Sequence, residues 1–326
     1  MNSRPTDRPS NTLNSFLFLF QINLLLLRLL SEVSKQQNFT IDILKRFKFE
    51  FFVNLFGYYE DEESLSTLQY FIQKLINNLS GVYKKSEFTI DKDLVKKNET
   101  ELNDIMTSLF ERTDTRAISS QARDAVLQLC AKNVDANALN WGEKVVKENL
   151  LTNILDIAAE IEDAKYESSM RISRNTKVHV SLVLERIYNC CYYDKARAEF
   201  VNIVEMYIKS LLTSPDLESK IRAVLVITCL LNGPIEVGNQ CLAKQGIVEM
   251  MLAMASADDQ LQQKIAAEAL IAATTKKDKC TSIISMGKDI LKQLYMSDKD
   301  EIKVGDRRAN QADQGSDLIQ ICADPN

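Results

Sequence analysis

The sequence contains few of the residues that interrupt helices. Nine glycines and five prolines occur among its 326 residues. Between Ser10 and Asp324 the prolines are Pro215 and Pro234, and both stand between long apolar runs with a 3.6-residue period. Patterns of alternating polar and apolar residues, which indicate strands, are few. The chain is therefore predicted to be nearly all α-helical.

Histidine is almost absent, and this limits the chemistry the chain can support. The single histidine, His179, lies in the apolar run KVHVSLVL, and no cysteine pair has the spacing of a zinc finger. The sequence also lacks a glycine-rich phosphate loop, a G-x-S-x-G motif and an H-E-x-x-H motif. We interpret His179 as a core or boundary residue, and the carboxylates of AAEIEDAKYE (158–167) as a solvated helix end or loop. Neither an enzyme nor a bound metal or cofactor is predicted.

Charge and cysteine usage exclude further classes. The net charge is −5 and the isoelectric point is 5.3, so nucleic-acid binding is not expected. The seven cysteines have no tight spacing framework, and adjacent Cys190 and Cys191 suit an ordinary disulfide poorly. Cysteines within helical runs pack as small hydrophobic residues. These features predict a reducing, cytoplasmic location.

The N-terminal segment is unusually apolar. Residues 16–30 read FLFLFQINLLLLRLL and admit three interpretations: a buried solenoid helix or atypical terminus, a signal-peptide core, or a membrane anchor. Gln21, Asn23 and Arg28 interrupt the run, no A-x-A-like cleavage site follows it, and it is shorter than the roughly 20 residues that a membrane span needs. We favour the first interpretation, assign 1–36 to an atypical apolar N-terminus, and do not expect a membrane partner.

Two segments nearly 100 residues apart share one pattern. VKENLLTNIL (146–155) and AKQGIVEMML (243–252) align so that Asn149 corresponds to Gly246. A looser third copy, ISMGKDILKQLY (284–295), contains Gly287. Glycine, and after it asparagine, tolerates the left-handed conformation that ends helices. Asn149, Gly246 and Gly287 are therefore predicted to be structural helix caps.

A second landmark gives the repeat length. Four pairs of lysine followed by a β-branched residue, 43, 44 and 39 residues apart, lie at Lys177-Val178, Lys220-Ile221, Lys264-Ile265 and Lys303-Val304. Helical units of roughly 40–47 residues are typical of armadillo and HEAT solenoids. The sequence thus predicts an all-α, armadillo/HEAT-like right-handed solenoid with repeats of about 40–45 residues. Each unit would have one helix before the cap, one after it, and a longer buried helix starting near the lysine. An irregular helical domain with chance similarity is the alternative.

A longer stretch carries a family resemblance. LLNGPIEVGNQCLAKQGIVEMMLAMASADDQLQQKIAAEALIAATTKKDK (230–279) resembles the UCS-domain myosin chaperones of animals. The resemblance continues through 285–304 and, more loosely, through 140–158 and 195–212. It implies that 37–304 correspond to the central armadillo region and neck of that family.

Both ends of the chain depart from the family pattern. Members of the family carry an N-terminal tetratricopeptide domain, which binds the tail of Hsp90, and a long C-terminal UCS solenoid, which holds the myosin head. No tetratricopeptide pattern precedes residue 100, and Gly305 stops the helix that should follow Lys303-Val304. We therefore expect a truncated isoform or an incomplete gene product, with 305–326 as a divergent, disordered tail.

Two hypotheses about function follow. The resemblance implies a non-enzymatic co-chaperone that assists myosin motor-domain folding and muscle thick-filament assembly together with Hsp90. Its partners would be the myosin head and Hsp90, although the module that binds Hsp90 is missing. The alternative is an armadillo-type protein–protein interaction scaffold without chaperone activity. The residues that contact a partner are not predicted.

A truncated solenoid should self-associate through its last repeat. The apolar residues of IIS (283–285) and ILKQLY (290–295) would lack a polar cap, so the purified chain should form oligomers and bind the dye ANS. Light scattering coupled to gel filtration, with ANS fluorescence, measures both. A monomer that binds no ANS at high concentration would contradict the expectation.

Overall fold

The computed structural model describes residues 24–30, 32, 37–81, 92–134, 139–162 and 170–274. The described residues contain helices and no strand, which confirms the all-α prediction. The helices are α1 (Gln37–Arg46), α2 (Phe49–Asn54), α3 (Glu62–Ser80), α4 (Lys92–Lys97), α5 (Glu99–Thr113), α6 (Ser120–Val134), α7 (Trp141–Lys147), α8 (Leu151–Ala159), α9 (Arg174–Cys190), α10 (Asp194–Thr213), α11 (Leu217–Leu231), α12 (Ile235–Leu242), α13 (Ile247–Ala255) and α14 (Gln260–Ala273), with a 3-10 turn at Leu55–Gly57.

Five helices form the main row of the stack. In chain order, α3, α6, α9, α11 and α14 each pack against the next, and together they are called the long-helix row. A second row packs beside it, in which α5 contacts α8 and α8 contacts α10. The apolar faces of both rows join in one continuous core. This arrangement is the solenoid that the repeat length predicts.

Every helix of the long-helix row begins with a side-chain cap. The cap oxygen accepts a hydrogen bond from the backbone N–H three residues later, at distances of 2.7–3.3 Å. Such a cap satisfies one of the orphan N–H groups at a helix start and contributes about 0.5–2 kcal/mol. Three of the caps are 43 residues apart and so mark the repeat more regularly than the lysines do. The five caps are Asp61, Ser119, Ser173, Asp216 and Asp259.

The predicted three helices per unit occur in two units and not in a third. Helices α7, α8 and α9 form one complete unit, and α12, α13 and α14 form another. Between them, α10 runs unbroken for 20 residues before α11, so this unit has two helices. The sequence of α10 contains neither glycine nor proline, and nothing in it ends a first short helix.

Large apolar side chains of the later helices are mostly buried. Leu252 and Leu270 lie in the core, whereas Leu225 is only partly buried because it lies on the open side of α11. Trp141 is fully buried at the start of α7. The methionine-rich segment 249–254 buries Met251 and Met254, which agrees with a packing role.

Part of the apolar N-terminal segment lies within the described residues. Residues 24–30 are helical, with Leu27 buried and Leu25, Leu26 and Leu29 exposed. The interpretation of 16–30 as a buried helix is therefore wrong for these three leucines, which cannot all face the core from one short helix. Residues 16–23 fall outside the described part.

Asn149 and Gly246 both have left-handed backbones, but Asn149 closes the end of α7 whereas Gly246 is the residue directly before α13. Asn149 has a φ of 60° and follows α7, where Leu150 N donates to Val145 O and Asn149 N donates to Val146 O. This pair of bonds is the Schellman motif. Gly246 has φ 86° and ψ −9°, while Ile247 N donates to Lys244 O at 3.4 Å. These values fit the third position of a type II turn, which separates α12 from α13. Gly287 lies outside the described residues.

Gly246→Val should destabilise the chain through its backbone conformation alone. A Cβ atom at Gly246 would meet nothing within 4 Å, so the cost is that of a positive φ, about 1–2 kcal/mol and larger for a β-branched residue. Gly246→Asn is the matched control, because asparagine tolerates this region. Urea unfolding of both variants measures the difference in free energy of unfolding. Equal stability of the two variants would contradict the argument.

Candidate protein-interaction surface

The carboxylates predicted to be solvated include one that is buried. Glu160, at the end of α8, is 2% exposed. Its carboxylate accepts a hydrogen bond from Met170 N at 3.1 Å and lies 3.4 Å from Nη1 of Arg222. The prediction of a solvated helix end is therefore wrong at Glu160, because the Arg222 guanidinium satisfies the charge inside the protein. Residues 163–167 of the same segment are not described.

A recurring contact joins three of the long-row helices, α6, α9 and α14, to the helix before each of them. The side chain four residues after the N-cap of a long-row helix donates to carbonyls at the end of the preceding helix. Arg123 of α6 donates to Thr113 O and Thr115 O, and Gln263 of α14 donates to Ala257 O at 2.5 Å. In α9, Lys177 Nζ donates to the carbonyls of Ile157, Ala158 and Glu160 at 2.6–2.9 Å. We call these three contacts the helix-end joints.

The joint at Lys177 places a buried cation at a helix C-terminus. Carbonyl groups there carry a partial negative charge that favours cations. Arg222 is a second cation at this helix end, and its Nη1 donates to Ala159 O at 3.2 Å. Burial nevertheless lowers the pKa of Lys177 from 10.5 to about 8, although Cys229 and Glu160 favour its charged form. Burial likewise lowers the pKa of Arg123 to about 10. Both side chains are charged at neutral pH.

The lysine landmark of the sequence marks this position in only part of the chain. Lys177 and Lys220 are both four residues after their N-caps, Ser173 and Asp216. Lys264, however, is five residues after Asp259. Gln263, the residue before it, makes the joint. The landmark therefore identifies the starts of α9, α11 and α14, while the residue that makes the contact varies.

The long-helix row also carries a line of polar side chains near its surface. Gln69 of α3 donates from Nε2 to Oε1 of Gln128 in α6 at 3.0 Å, and Nε2 of Gln128 is 3.1 Å from Nε2 of His179 in α9. We call these three residues the amide row. Gln128 is exposed, and the other two are half-buried. His179 thus occupies a boundary position, as its sequence context predicts.

The amide row runs across helices that are parallel to one another. One turn further along α3 and α6, Gln73 and Asn133 exchange hydrogen bonds of 3.0 and 3.1 Å. Between α6 and α9, Arg186 donates to Ala131 O at 2.9 Å. These contacts fix the register of the three helices. The row had no signal in the sequence, because its members are 59 and 51 residues apart and meet only through stacking.

The described residues contain neither a candidate metal site nor a candidate membrane span. Within the described ranges, no group of three or more His, Cys, Asp or Glu side chains could hold a metal ion. Among the helices of these ranges, none combines the length and the apolar character needed to cross a membrane. The long-helix row, with its amide row, is the candidate protein-interaction surface.

Comparison with known proteins identifies the family. Residues 124–311 match the sequence profile of the UNC-45 central family, described as "Myosin-binding striated muscle assembly central". Protein unc-45 homolog B of Mus musculus is 31% identical over 246 residues, which are 74% of this chain and 26% of that protein. The human protein of the same name matches with the same identity and coverage. The chain thus spans about a quarter of the length of these relatives.

Solved structures agree with the fold. UNC-45 from Drosophila melanogaster superposes with a TM-score of 0.81 at 40% identity, covering 86% of this chain and 36% of that one. The myosin chaperone UNC-45 from C. elegans, solved in complex with a Hsp90 peptide, gives a TM-score of 0.77 at 23% identity over 85% of this chain and 32% of that one. The second likeness concerns the fold alone.

The Lys177 joint should give stability a distinct pH dependence. Since the pKa of Lys177 is about 8 when folded and that of an unfolded lysine is about 10.4, the unfolded chain binds more protons between these values. The free energy of unfolding of the native chain should therefore rise, by about 1 kcal/mol between pH 7 and 9, relative to Lys177→Met. Buried cysteines, whose pKa values are raised, lower the free energy of unfolding as the pH passes the unfolded thiol pKa of about 8.5. This effect is common to both proteins and cancels in their difference.

Denaturant unfolding at several pH values measures this difference. Lys220→Met is the matched control, because Lys220 holds the same position in α11 and its amine makes no helix-end joint in the described structure. Its difference from the native chain should stay constant with pH. A constant difference for Lys177→Met as well would rule out the effect.

Proposed function

Because the chain belongs to the UNC-45 central family, we propose that it provides the central, armadillo-like part of a myosin chaperone. The observation that carries this proposal is the family match over residues 124–311, which spans the structure from α6 to α14. The family description names myosin binding and striated-muscle assembly. We assign the same role to this chain in the cytoplasm.

We propose that the chain acts by holding its client and catalyses no reaction. The sequence has no phosphate-binding loop or nucleophile motif, so the chain would act on a client by surface contact and not as an enzyme. A solenoid suits this task because its units present an extended face with few moving parts. The client would be a partly folded myosin motor domain, kept from aggregation while it folds.

The proposal includes Hsp90 as a co-operating chaperone. The C. elegans relative was solved with a Hsp90 peptide, and another structure of it holds a Hsp70 peptide. We propose that this chain cooperates with Hsp90 in folding the myosin motor domain. Thick-filament assembly would be the process that such folding serves.

A myosin motor fragment heated with the purified chain tests the proposal. The chain should suppress light scattering by the motor fragment, because it covers apolar surface that would otherwise aggregate. An unrelated armadillo protein controls for the fold, and a heat-labile enzyme unrelated to myosin controls for general crowding. Protection no greater than that of the unrelated armadillo protein would favour a plain scaffold over a chaperone.

A further inference from the structure

The hydrogen bonds of the amide row leave its polar atoms in a fixed order. Gln69 uses both protons of Nε2, one for Gln128 Oε1 and one for Ala125 O at 2.8 Å. Its Oε1 accepts nothing within the described ranges and remains an acceptor. Gln128 gives one proton of Nε2 to His179, which leaves the other as a donor. His179 Nε2 then accepts, so its proton lies on Nδ1.

The remaining atoms match an extended main chain. From α3 to α9 the row offers one acceptor followed by two donors, and an extended peptide presents both N–H and C=O groups along its edge. Packed helices are about 8–10 Å apart, and an extended segment of polyproline II form advances about 3.1 Å per residue with three residues per turn. One step across the row therefore corresponds to about three residues of such a peptide, and every third side chain lies on the same side of it.

Apolar side chains lie at both ends of the row. Tyr70, next to Gln69 on α3, is 46% exposed, and Val178, next to His179 on α9, is 61% exposed. Leu182 is partly buried one turn after Val178. These side chains can contact the apolar side chains of a bound segment.

Two lysines beside the amide row favour an acidic partner. Lys74, on α3, is held over the Tyr70 ring at 5.2 Å, and Lys132 is exposed on α6 one turn after Gln128. Neither amine forms an ion pair within the described residues. The one carboxylate of α6, Asp124, already accepts from Thr176 and Ser173, and Glu185 lies on α9 two turns after Val178. Two adjacent helices thus present an amine at the same level.

We propose that the amide row, with Lys74 and Lys132, binds an extended acidic segment of a partner protein, whose carboxylates are three residues apart. The main chain of the segment bonds to Gln69, Gln128 and His179, and its carboxylates pair with the two lysines. The inference rests on the proposed role in protein binding and specifies which face, and which chemistry of partner, that role uses.

Fluorescence anisotropy with synthetic peptides tests the inference on the full chain. The probe is a labelled peptide with glutamate at every third position, separated by proline and alanine, so that the glutamates of a polyproline II segment share one side. It should bind more tightly than a peptide of the same composition with adjacent glutamates, and than one with lysine in place of glutamate. Added salt should weaken binding, because exposed charges are screened.

Variants of the chain assign the binding to this face. Lys74→Gln and Lys132→Gln should each weaken binding by up to about fivefold, the range of an exposed ion pair. Gln128→Glu should weaken it further, because it removes a donor and adds a like charge. Lys209→Gln makes the same charge change on the exposed surface of α10 and should have no effect. Melting temperatures verify that each variant is folded.

The outcomes are distinguishable from those of the myosin experiment. Equal affinity for the spaced and clustered peptides, or equal effects of Lys132→Gln and Lys209→Gln, would overturn the inference. Because the peptide assay contains no myosin, lost protection of myosin together with intact peptide binding would overturn the proposed function alone.

Discussion

In three units of the solenoid, a long-row helix contacts the carbonyl end of the helix before it. At Lys177, one ammonium group donates to three carbonyls at the end of α8, of which the Ile157 carbonyl also accepts from Glu160 N. Leaving a buried carbonyl unbonded would cost about 1–3 kcal/mol. In these units the contact limits how far the long helix can slide or rotate on the helix before it.

The chemistry of the joint differs between units according to its surroundings. Arg123 and Lys177 bring charge into the protein interior, which lowers their pKa values, whereas Gln263 makes one neutral hydrogen bond. A buried cation is tolerated only because several carbonyls and nearby carboxylates surround it. The same geometry is thus reached by different residues, and a pattern search for one residue type follows the repeat only approximately.

The register between long-row helices shapes the surface that they present. Gln69, Gln128 and His179 lie on three different helices, and they form a line only because α3, α6 and α9 are parallel and in step. The bonds between Gln73 and Asn133, and from Arg186 to Ala131 O, hold that register. A stack with fixed register provides the extended face on which we propose that a partner binds.

The sequence by itself determined the class of the fold: scarce glycine and proline, the 3.6-residue period and a repeat near 43 residues specify stacked helices, because these signals act over a few turns of chain. It also indicated the left-handed backbones at Asn149 and Gly246, since side-chain sterics select the residues that adopt them. Only the tertiary structure decided that Glu160 is buried, that α10 packs beside α8, and that Gln128 reaches His179. Each of these depends on distances between residues far apart in sequence, which packing sets and local propensity does not encode.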